Sequence, residues 1–74
     1  MRDISLDQLL VFINVSEHGS FSAAARHLHR AQSAISYAIA NLEEQLEVEL
    51  FDRSRRKPRL TPAGEALLVD AREV

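Results

Sequence analysis

Apolar positions in this chain fall into four stretches of helical spacing and two short extended ones. Leu6, Leu9, Leu10 and Ile13 recur at three- and four-residue intervals, with Phe12 and Val15 widening the stripe, so the spacing predicts a first helix over about 6–18. Ser5 followed by Gln8 has the form of a capping box, and Gly19 is placed to end the helix in the left-handed conformation. A second helix is expected over about 22–29, capped by Ser20 or Ser22. Its Ala23, Ala24 and Ala25 are strong helix formers whose small side chains let another helix approach closely. Leu28 shares the face of Ala24, and Phe21 is expected to plug the core at the entry.

After a short connection over about 29–31, a third helix is expected over about 32–46. Ile35, Ile39, Leu42 and Leu46 form one apolar stripe on it. At about 100° per residue, Ser33, Tyr37, Ala40, Asn41 and Glu44 fall on the opposite face, with Ser36 at its margin. Two short extended segments follow, Val48, Leu50 and Phe51 in one and Arg59, Leu60 and Thr61 in the other, with Pro58 between them. They read as a β-hairpin. A fourth helix starts with Thr61 as N-cap and Pro62 at its first position. Ala63, Leu67, Ala71 and Val74 share one face, and the pattern stops without a C-cap signal, so the natural protein is expected to continue.

With 74 residues, one domain is the ceiling, and a chain this short buries only roughly 60% of its unfolded surface. A hydrophobic share of 46% and a charged share of 27% are those of a globular chain rather than a disordered one. The absence of cysteine excludes a disulfide and any thiolate metal site. No apolar run reaches membrane-spanning length, and the first residues lack the apolar core of a signal peptide, so no membrane partner and a cytoplasmic location are the default. His27 and His29 are two apart and diverge on a helix, as do the adjacent Glu43 and Glu44, so neither a metal site nor a catalytic carboxylate pair is expected. No nucleophile elbow or glycine-rich loop is present. The expectation is a chain that is not an enzyme and holds no cofactor.

Charge changes the picture more. The formal charge of −2 and a pI near 5.8 do not mark a nucleic-acid binder. The distribution does. The stretch 18–42 holds Arg26, Arg30 and all three histidines with no acid; Glu43, Glu44, Glu47, Glu49 and Asp52 crowd the next ten residues; then come five cations in the seven residues 53–59. The basic run is either a phosphate footprint or a solvated loop.

Helix, short turn, helix and then a two-stranded hairpin make a winged helix-turn-helix, a mainly α fold suited to duplex DNA. The major groove admits one helix, and a basic hairpin tip can follow the backbone or enter a narrow minor groove. The only dense basic run lies on the wing, and the first half of the outer face of helix three carries no acid. The domain would cover 1–61, with 62–74 as the start of a further helix.

The order Leu6…Leu9…Phe12, Gly19-Ser20-Phe21-Ser22, Ala24-Ala25…Leu28-His29, Gln32-Ser33-Ala34-Ile35-Ser36, Ile39…Leu42-Glu43, Leu50-Phe51-Asp52-Arg53 and Leu60-Thr61-Pro62-Ala63-Gly64 resembles the N-terminal domain of LysR-type transcriptional regulators over nearly the whole chain. The resemblance implies a bacterial regulator of about three hundred residues whose missing C-terminal part binds a small-molecule effector. It also implies a linker helix that pairs two subunits antiparallel, with Leu67, Ala71 and Val74 as the dimerisation residues. By position it implies base contacts from Gln32, Ser33 and Tyr37, phosphate-contacting or helix-packing roles for Ser22 and Ser36, and basic wing positions at Arg53 and Arg56. Serine at 33, tyrosine at 37 and alanine at 40 stand where the family often has proline, arginine or another polar residue, and a basic residue, so direct guanine readout is expected to be poor. Arg30 stands where an aliphatic residue is usual. Glu47 stands where glycine is usual, and a left-handed conformation there would cost roughly 1 kcal/mol.

Alternatives stay open for several residues. Gln32 can bond adenine or simply serve as a polar residue at the helix start. Ser33 can read a base or merely occupy the first turn. Tyr37 can touch a phosphate or a thymine methyl. Ser36 can bond a phosphate or its own helix. Ser22 can cap helix two or aim backbone N–H groups at a phosphate. Arg30 is a phosphate contact or a solvated turn residue, and Arg53 a phosphate clamp or a partner of Glu43. Arg55, Arg56 and Lys57 are the stronger wing candidates. Two other functions fit the pattern: a winged helix whose wing binds an acidic protein, and a non-specific nucleoid-type binder.

Overall fold

The computed structural model describes residues 4–54 and 56–73. The expectations for Arg55 and Val74 lie outside the described residues. Four helices and one small sheet follow in order: α1 Leu6–His18, α2 Phe21–Leu28, α3 Gln32–Leu46, β1 Phe51–Asp52, β2 Arg59–Leu60 and α4 Pro62–Arg72.

Helix boundaries follow from local chemistry. Ser5 Oγ accepts the Gln8 N–H while the Gln8 side chain accepts the Ser5 N–H, which closes the capping box at the start of α1. Gly19 ends α1 at φ 73°, and its N–H bonds the Val15 carbonyl. The N-cap of α2 is Ser20, whose Oγ accepts the Ala23 N–H; α2 therefore begins at Phe21, one residue earlier than expected, and Ser22 lies inside it. Two helices end in the left-handed conformation without a glycine. His29 closes α2 at φ 58°, and Glu47 closes α3 at φ 59°. At α4, Thr61 Oγ1 accepts the Gly64 N–H, with Pro62 at the first position as expected.

The strands are shorter than the sequence suggested. Val48, Leu50 and Thr61 stand outside them, and the antiparallel ladder pairs Phe51 with Leu60 and Asp52 with Arg59. Thr61 has become the cap of α4 instead, and its N–H bonds the Leu50 carbonyl.

The core joins α1, α2, α3 and the start of the wing: Val11, Phe12, Val15, Ala24, Ala25, Ile35, Ile39, Leu42, Leu50 and Phe51. On α3 the expected stripe is the buried one, with Ile35, Ile39 and Leu42 fully buried and Leu46 half-buried. On α1 it is not. Leu6 is 73% and Leu10 45% exposed, and the buried face is Val11, Phe12 and Val15. Apolar residues surround most of α1, so spacing alone could not locate the side that α2 and α3 cover. The alanines of α2 do what their size suggested: Ala24 and Ala25 are buried at the centre of the three-helix packing. Phe51 packs against Phe12 with ring centroids 5.6 Å apart and against Phe21 edge-on at 5.8 Å, which fixes the wing's first strand to α1 and α2.

Helix α4 packs back onto the domain. Leu67 packs half-buried against the core and Ala71 is buried, so within this single chain they do not form an exposed stripe. Arg72 Nη2 lies 3.6 Å from Glu17 Oε2 of α1, and Val69 is a large apolar residue of α4 that stands exposed.

Candidate nucleic-acid interface

The start of α2, the first half of α3 and the wing meet around an open groove of about 370 Å³. Ser20, Phe21 and Ser22 line it from α2, Gln32 and Ser36 from α3, and Arg53, Arg56 and Pro58 from the wing. Five residues proposed from sequence, Ser22, Gln32, Ser36, Arg53 and Arg56, are thus brought onto one wall-and-floor arrangement although the chain separates them by up to thirty-four positions. Ser20, Phe21 and Pro58 join them without having been singled out as site residues.

The chemistry of the groove suits an anion. Ser20 Oγ lies 3.4 Å from Ser22 Oγ at the N-terminus of α2, where backbone N–H groups and the helix dipole favour negative charge. The N-cap of α3 is Ala31, whose side chain offers no bond to the first turn. Arg53 and Arg56 of the wing line the same groove.

One of those arginines is tightly held. Arg53 Nη2 lies 3.3 Å from Glu43 Oε1, and its guanidinium carbon lies 5.4 Å from the centre of the Phe21 ring. Glu43 Oε2 accepts the Leu50 N–H at 2.7 Å and the Phe51 N–H at 3.4 Å. Of the two roles open for Arg53, the ion pair with Glu43 is therefore realised, and the side chain still lines the groove. The loop beyond it is started by Asp52, whose Oδ1 accepts both the N–H and the Oγ–H of Ser54.

Ser33 and Tyr37 are exposed on the outer face of α3, beside the groove rather than in it; Tyr37 is 70% exposed. Lys57 is exposed on the wing. Arg30 is turned elsewhere: its Nη1 and Nη2 donate to the two Asp7 carboxylate oxygens at 3.0 and 2.6 Å, tying the α2–α3 turn to the first turn of α1. Those hydrogen bonds hold the Asp7 carboxyl below the usual carboxylate range and raise Arg30. The His27 ring packs tilted against His18, with centroids 4.8 Å apart. Among the described residues no group of three or more His, Asp or Glu is placed to hold a metal, and no helix is long and apolar enough to cross a membrane.

Three helices with a tight second-to-third turn, a two-stranded wing and a basic groove between them define a winged helix-turn-helix domain. Residues 6–65 match the model of the bacterial regulatory helix-turn-helix proteins of the lysR family, and the chain belongs to that family. It is 55% identical over 65 residues to an uncharacterised HTH-type transcriptional regulator from the ibpB–leuC intergenic region of Azotobacter vinelandii, covering 88% of this chain and 45% of that protein. It is 53% identical over 64 residues to the HTH-type transcriptional regulator AceR of Acinetobacter baumannii, covering 86% of this chain and 21% of that protein. The CbnR DBD–DNA complex superposes with a TM-score of 0.89 at 45% identity, over 93% of this chain and 79% of that one. Corynebacterium glutamicum OxyR, as its C206 mutant, superposes at 0.92 with 40% identity, over 97% of this chain and 23% of that one. The chain therefore spans less than half the length of these curated relatives.

Proposed function

We propose that this chain binds duplex DNA sequence-specifically, as the DNA-reading part of a bacterial transcription regulator. The observation that carries this reading is the groove that gathers Ser22, Gln32, Ser36, Arg53 and Arg56 from three elements beside the acid-free half of α3. In it, α3 enters the major groove, where Gln32 bonds a base edge and Ser33 and Tyr37 complete the contact. Ser22 and Ser36, with Arg53 and Arg56, hold backbone phosphates, and Arg55 and Lys57 extend that footprint along the wing. Arg30 reaches a phosphate only if its pair with Asp7 opens. The relatives' status as regulators argues against enzymatic work, and no cofactor is needed for this role.

The whole protein is proposed to act in the cytoplasm as a homodimer paired through helix four, with a small-molecule effector bound by a domain beyond this segment. Since Leu67 and Ala71 are already covered within one chain, pairing through α4 would draw on its outward side, where Val69 is exposed. A selection from genomic fragments with the purified chain, followed by salt-titrated binding to the winner and to a scrambled duplex, tests the reading. We expect a winner with two related half-sites about one helical turn or more apart, bound at least about a hundredfold over the scrambled duplex. Equal binding to both duplexes would reject sequence-specific reading by this chain.

A further inference from the structure

Glu43 uses its two carboxylate oxygens for two different tasks. Oε2 takes the N–H groups of Leu50 and Phe51 and so fixes the start of the wing to the last turn of α3. Oε1 takes the guanidinium of Arg53. The Glu43 side chain is only 12% exposed, whereas that of Arg53 is 48% exposed. A nearly buried carboxylate is therefore anchoring a long, half-exposed cation that would otherwise sample many rotamers. The second anchor is the face of Phe21, itself held edge-on by Phe51. Arg53 thus stands between a ring from α2 and a carboxylate from α3, with one terminal nitrogen engaged by Glu43 and further N–H donors left over. Its groove neighbours are the serine hydroxyls of α2 and Ser36 of α3.

We propose, resting on the DNA reading above, that Glu43 is a positioning residue for phosphate capture: it sets Arg53 in its binding orientation before the duplex arrives. The carboxylate also lowers the net positive charge at Arg53, which opposes phosphate attraction. Pre-ordering and charge masking thus predict opposite effects when the carboxylate is neutralised, and the experiment separates them.

Glu43→Gln keeps an oxygen for the Leu50 N–H and replaces the acceptor facing Arg53 by an amide nitrogen. A random-sequence duplex of about 30 base pairs is a sufficient probe, because phosphate contacts carry no sequence information. At fixed low salt we expect Glu43→Gln to weaken binding about three- to tenfold, the size expected for a long side chain no longer held in place. In an Arg53→Ala background, Glu43→Gln should change affinity by less than about twofold, because the two residues act as one unit. Arg53→Lys, which retains the charge but not the planar fork, should lose binding about as Glu43→Gln does and covers the case in which Glu43→Gln fails to fold.

Tighter binding by Glu43→Gln would show that the carboxylate masks charge and would overturn the proposal. An equal loss from Glu43→Gln with and without Arg53 would reduce Glu43 to a support of the wing. Wild-type affinity in Arg53→Lys would mean that charge alone suffices. Failure of the wild-type chain itself to bind any duplex, at any salt, is a distinguishable result: it would sink the DNA reading and the positioning role together.

Discussion

Two residues illustrate how a position can be constrained by what surrounds it or released by having nothing there. A Cβ added at Gly64 would lie 2.2 Å from the Leu50 carbonyl oxygen and 2.9 Å from Leu60 Cδ2. The oxygen is backbone and already accepts the Thr61 N–H, so it cannot move aside cheaply. Gly64→Ala should therefore destabilise the chain by about 1–3 kcal/mol, read as a lower urea midpoint with an unchanged slope. Tyr37 is the opposite case. Its ring is 70% exposed and contributes nothing to the core, so Tyr37→Ala should change stability by less than about 0.5 kcal/mol. If it reads DNA, the same variant should alter the ranking of half-site sequences in a competition assay; an unchanged ranking would remove it from the base-contacting set. Tyr37 was legible in the sequence because it is an aromatic residue opposite a clean apolar stripe. The constraint on Gly64 was not, since the close approach depends on the path from Leu50 into α4.

Elements were legible where sequence carried a directional signal and illegible where it did not. The end points of α1 and α3 matched because a capping box, a glycine and a single apolar stripe each leave one solution. The buried face of α1 matched only in its Phe12 and Val15, because both Leu6–Leu10 and Val11–Phe12–Val15 have helical spacing. The same limit applied to α4, whose Ala71 and Leu67 turned out to serve this chain's own packing. The wing's basic residues could be found by counting charges, but the pairing of Arg53 with Glu43 over Phe21 required three elements to be brought together. The left-handed ends of α2 and α3 give a test at this scale. Glu47 sits at φ 59° and ψ 35°, a conformation that glycine adopts without Cβ strain. Glu47→Gly should stabilise the chain by about 1 kcal/mol or somewhat less, raising the melting temperature by a few degrees. A second test concerns the tie between α1 and the α2–α3 turn. Asp7 has its carboxyl lowered by Arg30, so its contribution is fully present above the unfolded value of about 3.9 and is lost as pH falls through the folded one. Asp7→Asn should therefore flatten the acid limb of the stability profile and leave its shape above about pH 5 unchanged.

At the scale of the whole molecule, an acidic chain can hold a duplex only because its charges are segregated. The formal charge is −2, yet Arg53, Arg56 and Lys57 stand on the wing while Glu43 is turned inward to Arg53 and the wing backbone. Arg30 and Arg72 are each matched to an acid of α1, whereas Arg56 and Lys57 stand exposed together on the wing. Phosphate neutralisation releases counterions, so the number of contacts appears as the slope of log K against log salt, at about −0.9 per phosphate. If a pair of chains contacts about six to eight phosphates, the slope should be about −5 to −7, and a single chain acting alone should give about half that. The slope thus counts both contacts and subunits when it is read beside the sedimentation mass of the bound species. A steep slope with a two-chain mass would establish that the pairing surface works in this segment. A half-sized slope with a one-chain mass would place dimer formation in the remainder of the protein, while a slope near zero would deny the groove its phosphate role.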